Sequence, residues 1–276
     1  MRIDAHHHLW QYTAEDYGWI DDRMKVLQRD FLPADLAAEV AATRVTGSIA
    51  VQARQSLEET HWLLDLAAES SLIKGVVGWA PIASESFTST LETLQQNPLL
   101  KGLRHVVQAE PAGFLDAESF NRGIATMRDT SLVYEILIFA RQQEEAIRFV
   151  DRHPNQLFVL DHIAKPDIAN NGFAAWEPAF RELAKRQNVH CKLSGMATEA
   201  DWQTWTPDLL KPYFETALEA FGPFRMVVGS DWPVLNVACS YTLWWQIITQ
   251  WLAPLSITER EQIEGKTAAS VYRLAP

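Results

Sequence analysis

Three consecutive histidines, His6, His7 and His8, end a short apolar segment at the N-terminus that is typical of a β-strand. Side chains alternate between the two faces of a strand, so His6 and His8 point to one face and His7 points to the other. Two imidazoles about 7 Å apart on one face can share one metal ion or one substrate oxygen. An enzyme active site is the favoured interpretation. A pair of core histidines that only form hydrogen bonds stays open as the alternative.

Further polar residues stand at the C-terminal ends of the other predicted strands. They are Gln52, Arg54, Arg104, His105, Asp161, His162, Lys192, Ser194 and Asp231. Taken singly, a basic residue at a strand end is commonly a solvated loop residue, and Asp231 before Trp232 and Pro233 is commonly part of a turn. As a set, so many titratable groups at one rim are difficult to explain by packing. The set therefore predicts an active site built from strand ends.

The elements that would position these residues alternate regularly along the chain. Apolar runs predict strands at Arg2–His8, Val45–Ala53, Ile73–Pro81, Leu100–Val107, Leu132–Phe139, Gln156–Ile163, Val189–Ser194 and Phe224–Ser230. Amphipathic stretches predict helices from Pro33 onward and at Ser56–Ala68, Ser86–Gln96, Ser119–Arg128, Gln142–Arg152, Ala174–Arg186, Pro207–Phe221, Tyr241–Leu252 and Thr258–Leu274. Ser56 and Glu59 have the spacing of a capping box, in which each side chain accepts from the other residue's backbone N–H.

Eight strands, each followed by a helix, predict an α/β fold: a single (β/α)8 TIM-type barrel domain over residues 1–276. An extended loop, Leu9–Phe31, follows strand one, and an extra helix closes the C-terminus. The nearly all-apolar run Val133–Phe139 suits a parallel strand that is covered on both sides. The alternative is an open doubly wound sheet, which the lack of a Gly-rich loop after the first strand disfavours.

The composition, 47% hydrophobic and 21% charged, is that of an ordinary globular protein. The formal net charge of −11 disfavours nucleic acid and anionic membranes as partners. Two cysteines, Cys191 and Cys239, give no disulfide framework and predict a reducing, cytoplasmic location. No apolar run reaches the length of a membrane span. We expect a small-molecule substrate and a monomer or homodimer.

The order of the motifs resembles the amidohydrolase superfamily, and within it the amidohydrolase-2, or L-fuconolactonase-like, branch. The motifs are Asp4-Ala5-His6-His7-His8, Gly102-Leu103-Arg104-His105, Asp161-His162, Lys192-Leu193-Ser194-Gly195, Gly229-Ser230-Asp231-Trp232-Pro233 and Gly265-Lys266-Thr267-Ala268-Ala269. The resemblance covers essentially the whole chain, and the ordered set is more specific than the histidine pair alone. It implies a barrel and the hydrolysis of a small lactone or ester, often from a sugar acid.

The chain departs from the metal-rich members of the superfamily, which carry a Lys or Glu bridge on strand four and a His on strand five. Strand five here reads Val133-Tyr134-Glu135-Ile136-Leu137, so a two-metal site is not expected. His6, His8, His162 and Asp231 suit one divalent ion, with zinc as the candidate. Some lactonases of this branch work without metal, so whether the ion is bound and whether it is needed are separate questions.

Lactone hydrolysis needs an activated water, a stabiliser for the oxyanion and a proton for the departing alkoxide. We expect Asp231 and His162 to be catalytic, with Asp231 as general base. We expect the histidines to polarise the carbonyl, through a metal or as hydrogen-bond donors. The expected substrate contacts are Arg104, His105, Gln52, Lys192 and Trp232. Alternation along the strand lets at most one of Arg104 and His105 point into the pocket.

Two of the expected contacts have alternatives. Lys192 can instead lie inside the barrel, paired with Asp161 or Glu135, and Gln52 can lie behind the residues that touch substrate. Two competing functions also stay open. One is a metal-dependent decarboxylase of the same family, and the other is a non-catalytic barrel that binds a sugar acid. An L-fuconolactone-like aldonolactone is the expected substrate.

Overall fold

Eight parallel strands stand in chain order in one sheet, and a helix follows each of them. The computed structural model describes residues 1–275 and gives β1–β8 as Ile3–His7, Gly47–Val51, Ile73–Gly78, Leu100–His105, Val133–Ile136, Phe158–Leu160, Val189–Leu193 and Met226–Val228. Helices α1–α8 are Pro33–Val40, Leu57–Glu69, Phe87–Leu94, Glu118–Met127, Gln143–Arg152, Phe173–Ala184, Pro207–Phe221 and Tyr241–Leu252. All eight strands end one to three residues earlier than predicted, because the chain leaves the sheet for the loops that carry the site.

The sheet closes on itself where β1 meets the segment after β8. The backbone N–H of His8 donates to the carbonyl of Trp232 at 2.7 Å, and the N–H of Asp231 donates to the carbonyl of His6 at 2.8 Å. These bonds join the first strand to the last, so the barrel prediction is confirmed and the open sheet is not the fold. They also place Asp231 beside His6 and His8.

A cluster of small and branched side chains fills the barrel. Its strand residues are Ile3, Ala5, Ile49, Val51, Val77, Val133, Val159 and Val227. The predicted C-terminal helix is present as Ile257–Glu261 (α9) and Thr267–Val271 (α10), joined by a π-helical turn at Gln262–Lys266. Its Ala268, Val271 and Tyr272 pack against the barrel cluster. A larger apolar cluster lies between the sheet and the surrounding helices.

β1 contains a β-bulge that decides where its histidines point. The register with β2 shifts between Asp4 and His7, so one extra residue of β1 lies there. Ala5 belongs to the cluster inside the barrel, and simple alternation from it would turn His6 and His8 toward the helices. The extra residue reverses the alternation, so His6 and His8 face the interior and His7 faces outward.

The buried carboxylate of Asp4 holds this bulge. Its Oδ1 accepts the backbone N–H groups of His6 at 3.2 Å and Ser230 at 2.8 Å. Its Oδ2 accepts the hydroxyls of Ser230 at 2.6 Å and Tyr241 at 3.0 Å. Burial raises the pKa of Asp4 to about 6, although these hydrogen bonds oppose the rise. One side chain therefore connects β1, the segment after β8 and α8.

The connection after β1 is long, as predicted, and it folds back on itself. The backbones of Trp10 and Phe31 exchange hydrogen bonds of 3.0 and 2.9 Å, and a 3-10 helix at Asp22–Leu27 lies between them. This closed loop lies over the C-terminal ends of the strands. Among residues 1–275, no helix has the length and apolar character that a membrane span requires.

The predicted capping box at α2 forms only in half. Ser56 caps the helix by accepting the backbone N–H of Glu59 at 3.1 Å. The Glu59 carboxylate does not return to Ser56 but accepts the N–H groups of Ala53 at 2.9 Å and Arg54 at 2.7 Å. It thereby holds the loop after β2 instead, since those two donors follow the end of the strand.

Candidate active site

A cavity of about 670 Å³ opens at the C-terminal ends of the strands, a size that suits a small molecule. Five residues singled out by the sequence line it: His8, Arg54, Arg104, His162 and Asp231. His6 lies just beneath them and is fully buried. The bulge in β1 and the closure between β1 and β8 help to bring these side chains together from the ends of five strands.

Three ligand-type atoms meet at the base of the cavity. Nε2 of His6 and Nε2 of His8 lie 3.1 Å apart. Oδ1 of Asp231 lies 3.7 Å from the first and 3.4 Å from the second. Ligands around tetrahedral zinc lie about 3.3 Å from one another. The ring of His162, the fourth predicted ligand, is centred 4.5 Å from that of His6. The donor types and spacing therefore fit one divalent metal ion.

The hydrogen bonds of the two imidazoles define their proton positions when no ion is bound. Nδ1 of His8 donates to the carbonyl of Val51 at 2.8 Å. In a neutral ring this leaves Nε2 without a proton, as an acceptor. Nδ1 of His6 lies 3.0 Å from the ammonium of Lys192, which can only donate. Since Lys192 is nearer to Nδ1 than Arg104 Nη1 is to Nε2, at 3.4 Å, the contacts favour a His6 proton on Nε2, directed at His8. An ion bound through His6 Nε2 would have to displace that proton.

His162 stands on a strained turn after β6. Its φ is 51°, and the next three residues, through Lys165, also have φ between 45° and 62°, the left-handed region. A Cβ at Gly195 would lie 2.5 Å from Nδ1 of His162, so glycine is needed beside the ring. Ser194 Oγ holds that nitrogen at 2.9 Å. Burial lowers the pKa of His162 to about 4 despite the nearby carboxylates, so the ring is neutral at pH 7.

Asp231 also has a left-handed backbone, with φ at 62°. Its carboxylate faces the two imidazoles, while its backbone carbonyl accepts the N–H of Leu235 at 2.9 Å and so forms the turn. Burial favours the protonated form, but His162, His8 and Lys165 outweigh burial and hold the pKa of Asp231 below its ordinary value. The side chain is therefore an ionised carboxylate at neutral pH, and the turn is formed by the backbone of Asp231.

Arg104 reaches the cavity from β4, and two partners fix its guanidinium. Nη1 donates to Asp161 Oδ2 at 3.0 Å, and Nη2 donates to Gln52 Oε1 at 2.8 Å and to the Gln52 carbonyl. Gln52 itself is fully buried and lies behind Arg104. The structure thus places Gln52 in its alternative position, where it orients Arg104, and not in the cavity wall.

Lys192 lies inside the barrel, as the alternative interpretation predicted, and not at the cavity surface. Its ammonium is fully buried and lies 2.7 Å from Glu135 Oε1 and 2.8 Å from Asp161 Oδ1. Burial, and then the charge of Asp161, raise the pKa of Glu135 to about 7, although Lys192 opposes this. Tyr272, from the C-terminal segment, donates to Glu135 at 2.5 Å. Buried charges therefore connect the C-terminal segment to the base of the site.

Two of the expected substrate contacts, His105 and Trp232, do not line the cavity. His105 alternates with Arg104, so its ring turns away, stacks on Phe114 at 4.7 Å and contacts Glu110 at 2.8 Å. Trp232 is 1% exposed and packs edge-on against Phe31 at 5.3 Å, behind the cavity wall. Burial of the large indole against the loop after β1 makes it a packing residue.

The sequence patterns did not single out the charged and aromatic residues that line the cavity from several loops. Asp16 and Trp19 come from the loop after β1, Lys165 comes from the left-handed turn, and Glu199 follows β7. The unusual length of the first loop was the only available signal for the first two. No periodicity places a loop residue, because its position depends on contacts made by distant parts of the chain.

Comparison with known proteins agrees with this architecture. Residues 3–274 match the amidohydrolase family. An L-fucono-1,5-lactonase of Burkholderia multivorans is 40% identical over 99% of this chain and 96% of its own length. An L-fucono-1,5-lactonase of Burkholderia ambifaria is 35% identical over 99% and 96%. A crystal structure of a Burkholderia multivorans amidohydrolase with bound zinc superposes with a TM-score of 0.96, at 39% identity and with full coverage of both chains. The chain belongs to the amidohydrolase family.

Proposed function

We propose that this protein hydrolyses the lactone of a small sugar acid to the free acid, with L-fuconolactone or an aldonolactone of similar stereochemistry among its best substrates. Two full-length relatives, at 40% and 35% identity, are L-fucono-1,5-lactonases. The observation that carries the proposal is the ionised carboxylate of Asp231 in the wall of a sugar-sized cavity, 3.4 Å from His8. A base beside a bound ester is what hydrolysis by water requires.

Asp231 is the general base in this proposal. Its carboxylate takes a proton from a water molecule, whose oxygen attacks the lactone carbonyl and forms a tetrahedral intermediate. The protonated Asp231 then gives that proton to the ring oxygen as the carbon–oxygen bond breaks. Giving up that proton restores the Asp231 carboxylate, and the new carboxyl group loses its own proton to solvent, so the hydroxy acid leaves as its anion. His162, His8 and Lys165 hold the pKa of Asp231 below its ordinary value, so the carboxylate is ionised before the first step.

The developing oxyanion needs positioned donors. Arg104 is charged, lines the cavity and is held in place by Asp161 and Gln52, so it is the donor we assign to the substrate carbonyl or an adjacent hydroxyl. His162 presents Nε2, because Ser194 occupies its Nδ1. His8 cannot donate from Nε2 in its neutral form, since Val51 fixes its proton on Nδ1.

A divalent ion fits the same place. His6, His8 and Asp231 would hold it, with His162 beside them. When bound, the ion would polarise the lactone carbonyl as a Lewis acid. The residues described above bind substrate, orient it and move the proton in either case. The need for the ion is therefore tested separately from the reaction.

The test is acid release from a panel of aldonolactones, measured with a pH indicator, with and without a chelator. We expect hydrolysis of L-fuconolactone and its stereochemical relatives. Failure to release acid from every lactone in the panel would exclude the function. Zinc binding is read independently as a rise in melting temperature, which RT ln(1 + [L]/Kd) predicts to be large at saturating zinc. His8→Ala should abolish that rise, and His105→Ala should not.

The same assay separates the competing functions. A metal-dependent decarboxylase would release carbon dioxide from aromatic acids and would lose all activity with the chelator. A non-catalytic barrel would bind a sugar acid without turnover, and Asp231→Asn would leave its affinity unchanged. Neither matches the full-length similarity to two lactonases.

A further inference from the structure

The cations that line the cavity are already neutralised. Among residues 1–275, the Lys and Arg side chains in its wall are Arg54, Arg104 and Lys165. Arg104 pairs with Asp161 at 3.0 Å, Arg54 pairs with Asp16 at 2.8 Å, and Lys165 pairs with Glu199 at 3.1 Å. Each cation that a substrate carboxylate could contact is therefore already paired with a carboxylate of the protein.

Two of these pairs are accessible from the cavity and lie well apart around its mouth. The Arg54–Asp16 pair joins the loops after β2 and β1, and its side chains are 27% and 33% exposed. The Lys165–Glu199 pair joins the loops after β6 and β7, and its side chains are 17% and 18% exposed. Asp16, Arg54, Lys165 and Glu199 all line the cavity. The reacting groups occupy its base, so these pairs face the distal part of a bound lactone.

A paired cation and carboxylate offer a donor and an acceptor side by side. A sugar hydroxyl both donates and accepts, so it can bond to both members of the pair. A substrate carboxylate only accepts, and it would also lie beside the carboxylate of Asp16 or Glu199. Like charges placed together disfavour binding, so they exclude wrong ligands more than they weaken the right one.

We propose that Glu199 and Asp16 are specificity-determining residues. By pairing with Lys165 and Arg54, they make the mouth of the cavity bind uncharged hydroxyl groups and reject lactones that carry a second carboxylate. This inference rests on the proposed lactone hydrolysis and adds the charge class of its substrate. Glu199 is the stronger determinant, because its pair is less exposed than the Arg54–Asp16 pair.

The test uses two lactones that differ in one group. L-Galactono-1,4-lactone ends in a hydroxymethyl group at C6, and L-galactaro-1,4-lactone ends in a carboxylate there. The parent should hydrolyse the first and discriminate against the second. Glu199→Gln keeps the size of the side chain but frees the Lys165 ammonium. It should raise kcat/KM for the carboxylate lactone about tenfold, the usual size of one charge-assisted hydrogen bond, and lower it for the neutral lactone.

Three comparisons make the result decisive. Asp16→Asn should shift the preference in the same direction by a smaller factor, and it serves as the second variant if Glu199→Gln does not fold. Glu219→Gln breaks an exposed ion pair with Arg181 far from the cavity and should change neither substrate. The gain in Glu199→Gln should fall as ionic strength rises, because the new attraction is electrostatic.

The outcomes distinguish this inference from the function on which it rests. A parent that hydrolyses no lactone removes the function itself. A parent that hydrolyses both lactones equally well overturns the inference and leaves the lactonase intact. The same holds if the parent prefers the neutral lactone but neither variant changes the ratio.

Discussion

Asp231 and Asp4 are both buried aspartates, but their surroundings shift the two pKa values in opposite directions, and this difference defines their roles. Asp231 lies against imidazoles and Lys165, which hold its pKa low, whereas Asp4 is buried among neutral donors, and its pKa rises to about 6. Only the first lines the cavity. The ionised, accessible carboxylate is thus the base candidate, and the buried one positions the backbone.

Asp231→Asn should lower kcat by about 10²–10⁴, the usual size of general acid–base effects. The amide keeps the shape of the side chain but cannot take a proton from water. KM should change little, because the lost interaction belongs to the transition state. Steady-state acid release on the best aldonolactone measures both constants. Activity within about threefold of the parent would remove Asp231 from the mechanism.

Arg104 and His105 provide a matched pair of neighbours on β4. Arg104 lines the cavity, and His105 points away from it into a stack with Phe114. Arg104→Ala should raise KM at least tenfold, since a charged hydrogen bond to substrate is worth about 1.5–3 kcal/mol. His105→Ala should leave KM within about twofold. Equal effects of the two changes would mean that Arg104 acts through stability and not through substrate.

At the scale of elements, the bulge in β1 is the feature on which the site depends. It alone turns His6 and His8 inward, and Asp4 holds it through bonds to His6 and Ser230. A bulge next to an active site commonly re-aims a side chain in this way. The inward orientation of the histidine pair therefore depends on the bulge as well as on the two histidines.

Asp4→Ala should both destabilise the protein and reduce its activity. Removing the carboxylate leaves the donors of His6, Ser230 and Tyr241 without their buried acceptor, at about 1–3 kcal/mol for each unsatisfied group. Tyr241→Phe removes only one donor and serves as the control, with a loss of about 1 kcal/mol and little change in kcat. Urea unfolding and kcat together measure this. An Asp4→Ala variant with parental kcat would show that the bulge persists without the carboxylate.

The sequence predicts the elements well because their signals are local. Alternating apolar runs and capped amphipathic stretches define all eight strands and their helices, and the period of two correctly places His6 and His8 on one face. It does not say which face, because the bulge is a mismatch between two strands. The left-handed turn at His162 is hidden for a similar reason, since Gly195, in the loop after β7, makes room for the ring.

At the scale of the molecule, the loops that complete the cavity depend on contacts across the chain. The pairs Asp16–Arg54 and Lys165–Glu199 join residues 38 and 34 positions apart, with no motif to connect them. The sequence could therefore predict the base of the site, which comes from strand ends, but not its mouth. The residues proposed for the reaction therefore follow local sequence patterns, whereas the residues proposed to set the substrate preference are brought together only by the fold.

Buried charge also gives the whole molecule a characteristic dependence of stability on pH. Burial raises the pKa of Asp4 to about 6. Burial and then the charge of Asp161 raise the pKa of Glu135 to about 7. The folded state thus binds these protons more tightly than the unfolded state does. Their stabilisation is complete below the ordinary values of 3.8 and 4.5, and it declines as pH rises to about 7.

Asp161 and Asp231 act in the opposite direction. Burial opposes ionisation of both, but neighbouring cations and imidazoles outweigh it and hold each pKa below 3.8, so their contribution is lost only in stronger acid. Buried histidines act in the same direction as these two carboxylates, because burial lowers the pKa of His7 to about 3 and of His162 to about 4, below the ordinary 6.5. Urea unfolding at half-unit pH intervals therefore measures a sum of opposed contributions, and the difference between the parent and Glu135→Gln isolates one of them. That difference in the free energy of unfolding should fall by about 2 kcal/mol as pH rises from 5 to 7, since one pKa unit corresponds to about 1.4 kcal/mol. A variant curve parallel to that of the parent over this range would mean that Glu135 stays ionised in the folded barrel, paired with Lys192.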